Sequence, residues 1–330
     1  MKNNKIKIVK SIYPSHEYFA LIAQLYGSSD VAIFFASDTQ KGLDKVTKDV
    51  VKQPTFLVAT INSELVGQIA LIPFEGENAF FGFFECVNEG CFKLLWIRLV
   101  DEAKQQGVKT LFGPVNGTIW HPYRFVTKST DESFFPSEPL SKLEYGNWFA
   151  KLNPSQIIEY HSAFRTYFSP ILNATRVSYE SAINNGITIA VEAAGLNNIQ
   201  ELYELAISVF SQNPGYTHLS LEEFVSLYSS EKLSKNKGVL YTVRHQDQLL
   251  GFSLNLEYDD TLIMKTIAVL PNLQQKGIGN ALVHRVHVDA IERGVKKVIY
   301  ALVRKDNNVK HFTTEKINVF REYSAYLFKI

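Results

Sequence analysis

Residues 268–283, AVLPNLQQKGIGNALV, hold the most pointed chemistry in the chain. An apolar run is followed by a proline, by Gln274-Gln275-Lys276-Gly277-Ile278-Gly279, and by a second apolar run opening at Asn280. A diphosphate needs several backbone N–H donors aimed at one point, and the first turn of a helix supplies them together with a favourable dipole. Glycines at 277 and 279 remove the β-carbons that would hold phosphates away. A P-loop is excluded, because no G-x-x-x-x-G-K-[ST] surrounds the stretch. A dinucleotide fold fits poorly, since Gly277-Ile278-Gly279 continues into Asn280-Ala281-Leu282 and lacks the third small residue needed for helix–strand packing. A plain strand-to-helix turn would carry the same G-x-G, so the surrounding elements must decide.

Those elements recur. FLVATINSELVGQIAL (56–71) lies without a gap over LYTVRHQDQLLGFSLN (240–255), aligning Leu65-Val66-Gly67 with Leu249-Leu250-Gly251. Each segment predicts a hairpin, around Asn62-Ser63 and Gln246-Asp247. Downstream, Phe92, Leu95, Trp96, Leu99 and Ala103 form a helical stripe ending at Gly107, followed by Val108-Lys109 and a strand from Leu111. Ile278, Leu282, Val286 and Ala290 repeat it, ending at Gly294-Val295-Lys296 before a strand over 298–303. First strands are expected at 5–10 (KIKIVK) and 187–191 (ITIAV), each leading into a helix, with Ser15 as one N-cap and Asn198 with Glu201 as a capping box in the other. Four elements matched in order indicate a duplicated α/β unit. Residues 170–186, with Pro, Asn and a helical middle, are the expected linker.

Composition sets bounds. At 330 residues with 46% hydrophobic content, the chain suits two cored domains. The 34 Lys and Arg nearly cancel the 33 Asp and Glu, so no overall field draws the protein to nucleic acid or an anionic membrane. The start, MKNNKIKIVKS, has no signal-peptide core and no apolar run reaches membrane-spanning length, which reads as a cytosolic protein. Cys86 and Cys91 lack metal or scaffold spacing and read as buried thiols. His284 and His287 lie three apart on the helix after the loop; without an evident third ligand they read as a solvated helical face, and no metal site is expected.

The order of elements and the loop together resemble the GNAT superfamily, the Gcn5-related N-acetyltransferases, over nearly all of residues 187–330. Its pyrophosphate signature, (Gln or Arg)-x-x-Gly-x-(Gly or Ala), is matched by Gln274 through Gly279. The first half is similar to tandem acetyltransferase-like proteins in its hairpin and its FFGFFECVNE and GVKTLFGPVNG runs. The resemblance implies an α/β (mixed α+β) fold of two tandem GNAT-like domains, each a mixed twisted sheet flanked by helices: a degenerate domain at 1–170, a linker helix at 171–186 and an acyl-CoA-binding domain at 187–330.

It further implies an N-acyltransferase using acetyl-CoA or another acyl-CoA, with a small-molecule or peptide amine as acceptor. Ile267, Ala268 and Val269 would pair with the pantetheine arm; Gln274, Gln275, Lys276, Gly277, Ile278, Gly279 and Asn280 would hold the diphosphate, and Asn307 is a further cofactor-binding residue. Acyl transfer needs a neutral amine, a polarised carbonyl and a proton for the thiolate. The family's tyrosine acid falls on Thr314 in the register Asn307, Lys310, Thr314, Asn318, Val319. Glu257 is a candidate base, although a carboxylate near a strand end is also an ordinary surface group. Tyr216 and His218, in the loop Asn213 to His218, are candidate acceptor contacts or simply a turn between helices.

In the first half, matching Gly107 to Gly294 sets Phe92 opposite Gly279 and Val87 opposite Gln274, so that loop is expected not to bind diphosphate. Asn116 to Arg124 (NGTIWHPYR) either shapes an acceptor site or is a packed loop. Two alternatives stand beside the enzyme: a non-catalytic acyl-CoA-binding protein, raised by Thr314, and a Fem-type aminoacyl-tRNA-dependent transferase, opposed by the near-zero charge and the intact loop.

Overall fold

The computed structural model describes residues 5–48, 53–121, 123–192, 198–228, 237–306 and 317–330. The chain divides into two compact units, Met1–Glu159 with Arg321–Ile330, and Tyr160–Phe320.

The first unit runs β1 (Lys7–Ser11), α1 (Tyr18–Tyr26), α2 (Asp30–Thr47), β2 (Thr55–Ile61), β3 (Glu64–Pro73), β4 (Asn78–Cys86), α3 (Glu89–Gln105), β5 (Thr110–Gly113), β6 (Phe125–Ser129), α4 (Leu143–Ala150) and the start of β7 (Gln156–Arg165). The second continues β7 and adds α5 (Ser169–Asn184), β8 (Ile187–Val191), α6 (Ile199–Phe210), α7 (Leu221–Tyr228), β9 (Gly238–His245), β10 (Gln248–Tyr258), β11 (Thr261–Val269), α8 (Ile278–Glu292), β12 (Lys297–Arg304) and the first residues of β13 (Asn318–Lys329).

Each unit builds the same sheet. Its order is β1-β2-β3-β4-β5-β13 in the first and β8-β9-β10-β11-β12-β7 in the second, with β6 also on β13. Every pairing is antiparallel except β4 with β5 and β11 with β12. The hairpins form where the repeat predicts them. Asn62 and Ser63 both take positive φ, as does Gln246, which lets two-residue turns follow the strand twist.

The sixth strand of each sheet was not anticipated. Residues 160–165 of β7 pair with β12, and residues 326–329 of β13 pair with β5, so each sheet is completed by sequence from the other half. The compact division therefore falls at 159/160, against the expected 170 and 187, and the last ten residues belong to the first unit. The segment expected as a linker is α5, a 16-residue helix packed along α8.

Two further expectations change. Asn198 precedes α6 without capping it: its amide donates to Glu192, while Glu201 pairs with Arg244. Ser15 sits three residues ahead of α1 and accepts from the Glu17 N–H, so it starts the turn rather than capping the helix.

The first core is aromatic. Phe81, Phe84, Phe92, Trp96, Phe125, Tyr145, Trp148 and Phe149 interlock in stacked and edge-on contacts between the sheet, α3 and α4. The second core is aliphatic, joining Leu262, Met264, Ala281, Leu282, Val286 and Val298.

Candidate cofactor site

The two central parallel strands of the second unit stay paired only from Thr261 to Met264, opposite Lys297 to Tyr300. Beyond that point they part. Leu302 takes positive φ inside β12, at an irregularity in that strand's pairing with β7, which holds at Val298–Tyr300 and resumes at Val303 and Arg304. On its other side β11 slips register against β10 at Lys265 and then continues Thr266↔Leu254, Ile267↔Ser253, Ala268↔Phe252, Val269↔Gly251. Residues 265–269 thus form an edge whose pairing with β12 has ended, and such an edge can receive an extended ligand as an added strand.

This edge leads directly into the loop. After Val269 come a short turn at Pro271–Leu273, an exposed Gln274-Gln275-Lys276, and α8 from Ile278. Gln274 donates its amide to the Val269 carbonyl, tying the loop back to the strand end. Gly277 has φ +86, a conformation that costs other L-residues about 1–2 kcal/mol. A β-carbon there would stand 3.3 Å from the Ser178 hydroxyl on α5. At Gly279 a β-carbon would meet only Val269 Cγ2, at 3.9 Å, so this glycine keeps open space rather than relieving a clash.

The helix start is uncapped. Gly277 brings no side chain to the first-turn N–H groups of Ile278, Gly279 and Asn280, and no acidic residue stands in that turn. Lys276 adds positive charge beside the dipole's positive end. Asn280 turns its amide to Ser178, 3.4 Å away, so α5 supports the loop. Ser178 was missed because α5 read as a linker, yet Ile171, Thr175, Ser178 and Ala182 fall at helical spacing on one face, the mark of a packed helix.

α5 also corrects the reading of the histidines. His284 lies against Thr175 Oγ1 at 2.9 Å and stacks on Tyr179, both on α5. His287 is fully buried, with Nδ1 at 2.8 Å from the Val283 carbonyl and Nε2 at 2.8 Å from the Tyr300 hydroxyl. Burial lowers both pKa values, that of His287 to about 4. They are packing histidines, not a solvated face.

Other candidates are placed as follows. Glu257 pairs with Arg293 at 3.1 Å and stands opposite Leu262, five residues or about 17 Å of strand before Ile267. It is therefore not beside the split. Tyr216 and His218 lie between α6 and α7; the Tyr216 hydroxyl is buried with no hydrogen-bond partner among the described residues, its pKa raised by burial, while His218 Nε2 is 3.3 Å from Tyr203 Oη. Asn307 and Thr314 lie outside the described residues. Cys86 and Cys91 are free, buried thiols in the first unit. Among the described residues, no helix is long and apolar enough to cross a membrane.

The equivalent place in the first unit is closed. β4 and β5 pair over Asn78–Phe80 and part likewise, but there the chain itself enters the gap. Val115 N–H donates to the Phe81 carbonyl at 2.9 Å, and the Asn116 side chain accepts from Phe83 N–H at 2.7 Å. A β-carbon at Gly82 would fall 1.8 Å from the Val115 oxygen. Only residues 87 and 88 link β4 to α3, against 270 to 277 before α8. Asn88 then caps α3 by accepting from Cys91 N–H at 2.9 Å. Phe92, expected to obstruct this position, instead points into the core against Trp148 and Phe149.

Residues 199–316 match the family model of the acetyltransferase (GNAT) family. No curated protein matches the sequence. Among solved structures, the chain is similar to a tandem GNAT protein from the clavulanic acid biosynthesis pathway (without AcCoA), at 11% identity, 98% coverage of both chains and a TM-score of 0.56. It is also similar to a GCN5-related N-acetyltransferase from Sphaerobacter thermophilus, at 14% identity, 98% and 95% coverage and a TM-score of 0.54. A conserved protein of unknown function from Enterococcus faecalis V583, a probable N-acyltransferase, matches at 10% identity, 98% and 72% coverage and a TM-score of 0.60. The matched segment runs from α6 through β12 and includes both the strand split and the loop, so residues 199–316 carry a domain matching the GNAT family model within a chain whose fold is similar to that of tandem GNAT proteins.

Proposed function

We propose that the protein is an N-acyltransferase that moves an acetyl or other acyl group from acyl-CoA to an amine, with the cofactor held by the second unit. One observation carries this reading: the freed edge at 265–269 runs straight into an uncapped helix start bearing Gly277 and Gly279. An extended arm and a diphosphate need those two features in that order.

The residues present fit the cofactor. Backbone groups of Ile267, Ala268 and Val269 would pair with the pantetheine amides. The N–H groups of Ile278, Gly279 and Asn280, with the Lys276 ammonium, would hold the diphosphate, and Gln274 and Gln275 would shape its approach. Acyl-CoA supplies the thioester whose carbonyl an amine attacks and whose thiolate leaves. An N–H on the freed edge would polarise that carbonyl. Tyr216 and His218 are retained as acceptor contacts, Asn307 as a cofactor-binding residue and Thr314 as a catalytic candidate.

A second reading, acyl-CoA binding without turnover, draws on the engagement of Glu257 by Arg293 at a distance from the split. Calorimetric titration of the full chain with acetyl-CoA, followed by thiol release over a panel of amines, separates the two. Binding with amine-dependent CoA release supports the enzyme. Tight binding with no release over the whole panel leaves the non-catalytic reading, and no binding at all removes both.

A further inference from the structure

Cys86 is the last residue of β4 and Cys91 the third of α3, and both are fully buried. Their side chains converge on one spot. Cys86 stands opposite Gly67 on β3, where side-chain positions on the same face lie about 5 Å apart. A β-carbon built on Gly67 would fall 2.9 Å from Cys91 Sγ, so that sulfur occupies the space Gly67 leaves beside Cys86. Cys86 Sγ lies 3.1 Å from the Asn88 carbonyl oxygen, which also accepts from Phe92 N–H, so it reaches the first turn of α3. The two thiols stand within hydrogen-bonding reach of each other.

Packing alone does not call for sulfur at this junction. Matching Gly107 to Gly294 sets Cys91 opposite Ile278, and the hairpin repeat sets Gly67 on Gly251, whose partner on β11 is Val269. The second unit thus fills the corresponding positions with Val269 and Ile278, both in its aliphatic core. The first unit fills them with two groups able to exchange electrons.

We propose that Cys86 and Cys91 are an oxidation site, a thiol pair that a peroxide converts into a disulfide joining β4 to the first turn of α3. Cys91 is the attacking sulfur. It lies in the first turn of a helix, and the Cys86 thiol beside it lowers its pKa against the effect of burial, while the same contact raises that of Cys86. Asn88 and Gly90, on the same turn, are exposed, so a peroxide reaches the pair when that turn opens. The Cys91 thiolate attacks one peroxide oxygen; the S–O bond forms, the O–O bond breaks, and the departing hydroxide takes a proton to become water. Cys86 sulfur then attacks the Cys91 sulfenic acid. The S–S bond forms, the S–O bond breaks, and the hydroxide leaves with the Cys86 proton as a second water. Two thiols lose two electrons and the peroxide gains them. This inference does not rest on the cofactor assignment in the second unit.

The test exposes the reduced, folded full chain to hydrogen peroxide, then quenches, unfolds and labels it with N-ethylmaleimide. Reduced protein takes two labels, one on each cysteine. Oxidised protein should take none and be lighter by about 2 Da, with both cysteines in one internally cross-linked peptide. Cys86→Ser should leave Cys91 as a sulfenic acid that dimedone captures, whereas Cys91→Ser should keep its remaining thiol under the same exposure. In glutathione redox buffers, the equilibrium constant for the disulfide should be at least about tenfold higher in the folded chain than in urea, because the fold holds the sulfurs together. That comparison uses the unaltered chain and decides the matter if the variants do not fold. Two labels retained after peroxide, over-oxidation in place of the cross-link, capture of Cys86 rather than Cys91, or an equilibrium constant no higher folded than unfolded would overturn the proposal.

Discussion

The two units share one sheet order and differ in a telling way where the two central parallel strands part. In the second unit the parting leaves β11 with an edge at 265–269 and a long glycine-bearing loop before an uncapped α8. In the first, residues 113–116 fill the parting, the connection to α3 shrinks to two residues, and Asn88 satisfies the helix start from within. The same backbone branch point thus serves two ends. Where the pairing simply ends, the branch point leaves the edge proposed above for the cofactor; where the chain fills it, its polar groups are part of the core.

The largest expected effect tests that contrast at the loops. Gly279→Trp should weaken acetyl-CoA at least about 100-fold, roughly 2.7 kcal/mol, with the melting temperature little changed, because its side chain enters open space. Gly90→Trp, on the exposed first turn of α3, should leave the affinity unaltered. Titration calorimetry on both variants reads the outcome, and a loss at Gly90 would put the cofactor in the wrong unit.

Next comes the plug. Gly82→Ala forces a β-carbon onto the Val115 carbonyl and should cost the first unit about 1–3 kcal/mol, as overpacking does. All three tryptophans, Trp96, Trp120 and Trp148, lie in that unit, so urea unfolding followed by tryptophan emission reports on it. A neutral result would mean that the filled split is not under steric constraint.

The two units should also differ in their pH response. Glu85 titrates near 8 when folded, above its unfolded value of about 4.5, so its native state binds the extra proton. Its contribution is full below pH 4.5 and is lost as pH rises through 8. His287 titrates near 4, below its unfolded 6.5, so its contribution is full above pH 6.5 and is lost as pH falls through 4. Glu85→Gln should flatten the alkaline decline of the first unit's tryptophan-monitored stability. His287→Gln should flatten the acid decline of the second, followed by amide exchange of α8; unchanged slopes in both variants would remove the assignment.

The smallest effect is at the helix starts. Asn88→Ala removes the α3 cap and should cost about 1 kcal/mol in the same urea experiment. A much smaller loss would mean that the capped and uncapped starts differ less in energy than their geometry suggests.

Much of this contrast was legible in the chain. The gap-free hairpin repeat placed β2, β3, β9 and β10, and the glycine spacing placed the loop, because turns and helix ends depend on local backbone preference. Phe92 misled because equal spacing to Gly107 and Gly294 aligns residues along a helix without saying which way each faces. The histidines misled for a related reason: a face reads as solvated until the helix that covers it is known, and α5 is such a helix.

What the sequence determined by itself was local: two copies of a hairpin–strand–helix order, one glycine-bearing loop opening a helix, and no charge excess for nucleic acid. Tertiary structure alone decided the rest. It exchanged β7 and β13 between sheets, set Val115 and Asn116 into one strand split while leaving the other with an edge, and buried Glu85 against the hydroxyls of Tyr26 and Tyr145. These outcomes rest on backbone hydrogen bonds and packing between residues tens to hundreds apart, whose partners no residue type or spacing specifies.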